Sequence, residues 1–148
     1  MKTNDEKLKA LELFSNGYLC SEAVLMDIAK THNINSPLIP NIATAFGRGL
    51  ANGDSVCGAL SGGILALSMM QGRQNAQESF ELLYKNIAGL KESFGKEFGA
   101  HECSVLLGFS LNDTDAKEKF MEQNCKTCKC SNYISFTINH INEMIKSN

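Results

Sequence analysis

The chain has 148 residues, of which 43% are hydrophobic and 20% are charged. That length and composition suffice for one buried core, so we expect a single domain spanning residues 1–148. Fourteen basic and sixteen acidic side chains give a formal net charge of −2, and no run of lysines or arginines could follow a phosphate backbone. Nucleic-acid binding is therefore disfavoured.

The first residues and the longest apolar stretch argue against export and membrane insertion. Residues 1–7 are polar and charged, whereas a secretory signal needs an apolar core. Residues 56–70 are interrupted by glycine and serine and are shorter than the roughly 20 residues that span a bilayer. We expect a cytoplasmic protein with no membrane span, in which ordinary thiols stay reduced.

Two helices are predicted at the start of the chain. Asn4 is a suitable N-cap for the first, and Asn16-Gly17 is a typical stop. The second is expected from about Ser21. Cys20 then lies near a helix start.

The next segment combines a short helix, a glycine-rich loop and a longer apolar helix. A helix is expected over residues 42–46, after which residues 47–53 (GRGLANG) predict a loop. Asp54 or Ser55 is expected to cap the following helix, which places Cys57 in its first turn. Backbone N–H groups have no intrahelical partners there, so a thiolate at Cys57 should be favoured.

A long amphipathic helix is predicted over residues 75–94, followed by a break bracketed by Gly95 and Gly99. A short helix should then contain Cys103 and end at Gly108. Cys103 again falls near a helix start.

The last part of the chain predicts a short helix, a cysteine-rich connection and a final helix. Asn112 or Asp113 can cap the short helix, and residues 125–130 read CKTCKC. The composition of residues 133–138 also allows a strand, but isoleucines at helical spacing favour a helix. The whole pattern predicts an all-α bundle of about six to eight short and medium helices.

Six cysteines in an unexported chain indicate metal binding or redox chemistry more than structural disulfides. They belong to four separate segments: Cys20, Cys57, Cys103, and the group Cys125, Cys128 and Cys130. A thiolate is both a metal ligand and a nucleophile, and the positive end of a helix stabilises it for either role. Placement near helix starts cannot by itself choose between the two.

The stretch Cys57-Gly58-Ala59-Leu60-Ser61-Gly62 resembles the central motif of a known family. The family is named for its pattern C_GCAxxG_C_C, and it comprises small helical proteins proposed to be redox-active. Cys20 and Cys103 match two further cysteines, and Cys130 is the best match for the fourth. The resemblance implies redox chemistry at these four cysteines and makes Cys125 and Cys128 additional to the pattern.

One interpretation is a metal site. Cys20, Cys57, Cys103 and Cys130 could surround one zinc ion or an iron–sulfur cluster. The compact group at residues 125–130 could instead supply three ligands, with Cys103 or His101 as the fourth.

The other interpretation is thiol redox chemistry. Cys57 would attack a disulfide or oxidant, and Cys103 or Cys20 would resolve the mixed intermediate. Lys126 and Lys129 should lower the pKa of nearby thiols. His101 is a secondary candidate as ligand or proton acceptor.

We therefore expect a redox-active protein that uses convergent cysteines, with a redox partner protein or a small-molecule oxidant. A non-catalytic metal-binding protein for storage, delivery or sensing is the alternative. A purely structural domain with inert cysteines ranks last. A homodimer contact through the apolar helix stays open.

Overall fold

The computed structural model describes residues 4–147, with side chains from residue 9 onward. Within that range the secondary structure is helical, apart from one isolated β-bridge between Val56 and Glu102. The predicted all-α fold is confirmed. The proposed capping side chain of Asn4 lies outside the described side chains.

The α-helical segments in chain order are α1 (Asn4–Ser15), α2 (Cys20–Thr31), α3 (Gly47–Asn52), α4 (Gly58–Gln71), α5 (Glu81–Phe98), α6 (Cys103–Leu107), α7 (Ala116–Glu122) and α8 (Ser131–Ser147). A 3-10 helix, Asn41–Phe46, leads into α3, and a π-helical turn, Lys126–Cys130, leads into α8. The described residues thus contain eight α-helical segments, at the upper end of the predicted range. Residues 133–138 belong to α8, so the preference for a helix over a strand there is confirmed.

The core forms around α2 and α4, which pack on α1, α5 and α8. Its largest buried side chains include Leu25, Ile28, Leu60, Leu67 and Phe94. A smaller buried cluster contains Leu107, Phe109, Ala116 and Cys125. Burial of these apolar surfaces is the main force that holds the helices together.

Two glycines of α4 allow its neighbours to approach closely. A Cβ atom on Gly62 would lie 2.5 Å from the carbonyl oxygen of Ser21 in α2, and one on Gly63 would lie 2.5 Å from Cγ2 of Thr137 in α8. Ser61 directly precedes the two glycines in α4, and its hydroxyl donates to the carbonyl oxygen of Phe46 at 3.3 Å. The first turns of α2 and α4 are therefore held side by side.

The sequence predicts a loop over residues 47–53, but most of this segment, α3, is a turn of left-handed helix. The φ angles of Arg48, Leu50 and Ala51 are 59°, 65° and 54°. A left-handed conformation costs an L-residue roughly 1–2 kcal/mol, because Cβ approaches the following carbonyl oxygen. The turn is held from outside: Ser55 N–H donates to the Gly49 carbonyl at 2.9 Å, and the Asn112 amide donates to the carbonyl of Asn52.

The predicted start of the long helix is wrong. Residues 75–80 are not helical, and α5 begins at Glu81. Polar side chains satisfy the backbone there: Asn75 Oδ1 accepts from Gln77 N–H at 3.0 Å, and Ser79 Oγ accepts from Glu81 N–H at 3.1 Å. Such bonds offer the backbone an alternative to the helix.

The predicted end of that helix is also wrong. Helix α5 continues through Gly95 and stops at Phe98, because Gly99 takes the left-handed conformation with a φ of 81°. Gly95 instead gives room to the ring of His101, whose Nε2 would lie 3.0 Å from a Cβ at that position.

Two capping predictions also need correction. Neither Asp54 nor Ser55 caps α4, since Cys57 itself is the N-cap residue. The short helix α7 begins after Asp115, and not after Asn112 or Asp113.

Among the described residues, no helix is long and apolar enough to cross a membrane. The predicted absence of a membrane-spanning helix agrees with this finding.

The close contact between α2 and α4 predicts that Gly62→Ala is destabilising. The new methyl group would meet backbone that cannot rotate away, and overpacking of this kind costs roughly 1–3 kcal/mol. Gly89→Ala in α5 is the matched control, because a Cβ there meets nothing within 4 Å. It should raise the free energy of unfolding by about 0.5–1 kcal/mol. Urea unfolding of both variants checks the prediction, and equal stabilities would contradict it.

The left-handed turn predicts opposite effects for two alanine-to-glycine changes. Ala51→Gly should leave the free energy of unfolding unchanged or raise it by up to about 1 kcal/mol, because glycine tolerates the positive φ. Ala88→Gly, on an exposed site of the right-handed helix α5, should lower it by about 0.5–1 kcal/mol. Thermal unfolding measures both, and a larger loss at Ala51 than at Ala88 would show that the turn is not left-handed.

Candidate functional site

Four of the six cysteines line one cavity of about 680 Å³. They are Cys20, Cys57, Cys103 and Cys130, and the space between them is called the cysteine cavity below. These are the four that the sequence predicted as site residues. Cys125 and Cys128 do not line it.

Three helix N-termini meet at this cavity. Cys20 is the first residue of α2, Cys57 is the N-cap of α4, and Cys103 is the first residue of α6. Their predicted positions near helix starts are confirmed. Helix N-termini present free N–H groups and a partial positive charge to whatever lies between them.

A pair of backbone hydrogen bonds joins the segments that carry Cys57 and Cys103. Cys57 N–H donates to the His101 carbonyl at 2.8 Å, and Cys103 N–H donates to the Ser55 carbonyl at 2.7 Å. Gly49 packs against the same place, since a Cβ atom there would lie 2.7 Å from Cβ of Cys103. No local sequence signal indicated this pairing, because the two segments are more than forty residues apart.

Cys130 differs from the other three. It is the last residue of the π-helical turn, which continues directly into α8, and so it does not lie at a free helix N-terminus. Lys129 fixes this turn against α6 by donating to the Leu107 carbonyl at 2.7 Å. Single π-helical turns occur frequently at functional sites, because they redirect side chains within a helix.

The glycine after Cys57 has a steric role. A methyl group on Gly58 would collide with Sγ of Cys20, and it would also lie 3.1 Å from Cα of Gly47. The sulfur of Cys20 therefore rests against the backbone of α4. The residue order Cys57-Gly58 thus places one thiol at the helix start and makes room for another.

Burial raises the pKa of all four thiols in the cavity. Cys57 is 6% exposed, and its pKa lies well above its usual value. Burial, together with the charges of neighbouring thiols, raises the pKa of Cys103 to about 11 and that of Cys130 to about 12. Burial also raises the pKa of Cys20. The expectation of a low-pKa nucleophile at Cys57 is wrong, because desolvation outweighs the helix N-terminus.

Backbone amides act in the opposite direction. The N–H groups of Arg48 and Ala59 lower the pKa of Cys20, and those of Leu60 and Ala59 lower that of Cys57. The Ala59 amide thus acts on two sulfurs. The first turn of α4 brings both thiols to the same donor group.

Cys20 lies within electrostatic range of the other three cysteines of the cavity. Its charge is, after burial, the next cause of the raised pKa at Cys57, Cys103 and Cys130. The charges of the cavity cysteines therefore act on one another, and the role of Cys57 as the central residue stays a prediction.

The secondary candidates are separated from the cavity in different ways. His101 Nε2 is 2.7 Å from the Lys91 carbonyl and its ring stacks on Phe94, so the side chain is directed to α5. Cys125 is fully buried in the smaller core cluster, and Cys128 is exposed beside Asn124. Lys129 lowers the pKa of Cys125 and Cys130 as predicted, whereas Lys126 lies over the ring of Phe14 at 5.0 Å.

Among the side chains of residues 9–147, no three of His, Cys, Asp or Glu form a group that could hold a metal ion, and all six cysteines are free thiols. A single zinc ion requires sulfur ligands at about 2.3 Å. The four free thiols of the cavity are therefore not arranged as a closed single-ion site in this structure.

Comparison with known proteins gives a consistent result. Residues 18–144 match a family described as "Putative redox-active protein (C_GCAxxG_C_C)". A protein of Archaeoglobus fulgidus, described as uncharacterized, is 29% identical over 126 residues, which cover 78% of this chain and 83% of that protein. No solved structure matches the chain significantly. Because the family match covers most of the chain, including all six cysteines, the chain belongs to the C_GCAxxG_C_C family.

Proposed function

We propose that this chain is a redox protein in which Cys20, Cys57, Cys103 and Cys130 together hold an iron–sulfur cluster. The observation that carries the proposal is the meeting of these four thiols, from four separate segments, at one cavity. Four cysteine thiolates are the usual ligand set of such clusters. When bound, the cluster supplies one-electron transfer.

The dimensions of the cavity favour a cluster over a single zinc ion. No three potential ligands among the described residues form a single-ion site, and the four thiols line part of a cavity of about 680 Å³ that has room for more than one ion. A centre of several iron and sulfide ions reaches ligands that lie further apart. The donor set and the space therefore fit a polynuclear site better than a mononuclear one.

The protonation of the thiols also supports ligation over thiol exchange. Burial raises the pKa of all four thiols of the cavity, which favours the protonated thiol over the thiolate. A protonated thiol is a poor nucleophile. A bound cation, by contrast, replaces the protons and removes the repulsion between neighbouring thiolates.

The chain's own residues have two further tasks at this site. The amides of Arg48, Ala59 and Leu60 lie close to the sulfurs of Cys20 and Cys57 and stabilise negative charge there. The guanidinium of Arg48 acts in the same direction on Cys103. Hydrogen bonds and charges near the sulfur ligands are the features by which a protein adjusts a cluster's potential.

The cluster proposal predicts stoichiometric iron and acid-labile sulfide after anaerobic reconstitution, with visible absorption. Cys57→Ser should lower bound iron by about tenfold or more, since even outer-shell changes cost ten- to hundredfold in metal affinity. Cys128→Ser is the matched control, because Cys128 is exposed and lies outside the cavity. Iron retained in Cys57→Ser but lost in Cys128→Ser would contradict the proposal, as would wild-type protein that binds no iron.

A second candidate function is a reversible disulfide between Cys20 and Cys57. The sulfur of Cys20 lies against Gly58, and the Ala59 amide acts on both sulfurs, so these two thiols are close neighbours. In this reaction the two thiols lose two protons and two electrons and form one S–S bond. A small-molecule disulfide accepts the electrons and is reduced to two thiols.

This candidate predicts that oxidised glutathione removes two free thiols per chain and yields a peptide pair linked through Cys20 and Cys57. Cys20→Ser should prevent the link. Peptide mapping after blocking with N-ethylmaleimide locates the bond. A bond between Cys125 and Cys128 in place of the expected one would rule out the cavity as the site of oxidation.

A further inference from the structure

We propose that the outer part of the cysteine cavity binds a small organic anion with an apolar body. This part, the cavity entrance, comprises the lining residues Phe14, Tyr18, Arg48, Lys117, Phe120 and Lys126, of which Tyr18 and the three cations are exposed. It combines three cationic side chains with three aromatic ones. The four thiols line the same cavity, and Arg48 lies close to two of them, Cys20 and Cys103.

The charges of the cavity entrance are not balanced. Arg48, Lys117 and Lys126 line it, and no carboxylate oxygen lies within salt-bridge distance of any of them in the part of the chain that the structure describes. The one carboxylate in the lining, Asp113, lies 3.8 Å from Nζ of Lys119 and accepts a hydrogen bond from Ser110 N–H.

This excess of positive charge is local, because the whole chain carries a net charge of −2. A concave site with charges of one sign and low-dielectric walls concentrates the field and attracts ions of the opposite sign. The entrance therefore favours an anion.

Apolar surface next to these cations indicates the rest of the ligand. The ring of Phe14 lies 5.0 Å from Nζ of Lys126, Tyr18 is 39% exposed, and Met121, also in the lining, is 71% exposed. A ligand that covers these apolar side chains removes their surface from water, which favours binding. The whole cysteine cavity, of which the entrance is one part, has a volume of about 680 Å³, within the usual range of roughly 300–1,000 Å³ for small-molecule sites.

The use of this ligand rests on the proposed function, since a bound anion would lie against the four thiols. The binding of the anion does not rest on the proposed function, because Lys117 of α7 and Lys126 of the π-helical turn are not among the proposed cluster ligands. The two proposals can therefore fail separately.

The test compares two fluorescent probes with the same rings: 8-anilinonaphthalene-1-sulfonate and the uncharged N-phenyl-1-naphthylamine. The folded protein should bind one equivalent of the sulfonate about tenfold or more tighter than the neutral probe. The double variant Lys117→Gln/Lys126→Gln should weaken sulfonate binding by about fivefold or more and leave the affinity for the neutral probe unchanged. Fluorescence titration and calorimetry give the affinity and the stoichiometry.

The matched control is Lys96→Gln/Lys146→Gln, which removes two exposed lysines outside the cavity, one in α5 and one in α8, each paired with a glutamate of its own helix. It should leave both affinities unchanged. Equal affinity for the two probes, no saturable binding, or an equal loss in the control would overturn the inference. Iron and sulfide are measured in the same preparation and report on the cluster. A preparation that contains the cluster but binds both probes with equal affinity would overturn the anion site and leave the cluster proposal standing.

Discussion

The site depends on the close contact between the first turns of α2 and α4. Gly58 and Gly62 have no side chains, so the sulfur of Cys20 can rest on one and the Ser21 carbonyl on the other. The Ala59 amide then acts on the sulfurs of both Cys20 and Cys57. A glycine weakens a helix by about 0.5–1 kcal/mol relative to alanine, so α4 is less stable in isolation than its apolar content suggests. Packing against α2 offsets that loss.

Two opposing effects act on the thiols brought together in this way. Three helix N-termini favour negative charge between them, whereas burial disfavours it. Burial prevails, as the raised pKa of Cys103, to about 11, and of Cys130, to about 12, makes plain. The balance is different for a bound cation, because metal charge removes the repulsion between thiolates while the amides still contribute. The proposed ligation of a cluster by these four cysteines rests on this balance.

The all-α fold and the positions of Cys20, Cys57 and Cys103 near helix starts could be predicted, because glycines and apolar periodicity are local signals. Other features depend on contacts between distant segments. The bridge between Val56 and Glu102 joins residues without any shared motif. The spacing of Cys125, Cys128 and Cys130 does not distinguish a π-helical turn from an ordinary helix. The pKa of Cys57 was mispredicted for the same reason, since burial is a property of the whole fold.

The left-handed turn α3 links these distant contacts to the chemistry of the site. Its non-glycine residues Arg48, Leu50 and Ala51 are each strained, and strain of this kind persists only where surrounding structure enforces it. Hydrogen bonds from Ser55 and Asn112 supply that enforcement. The result is that Arg48 directs its backbone amide to Cys20 and its guanidinium charge to Cys103, while its side chain also lines the cavity entrance. A relaxed loop would separate these contacts. The strained turn therefore connects the thiols to the surface from which a ligand enters.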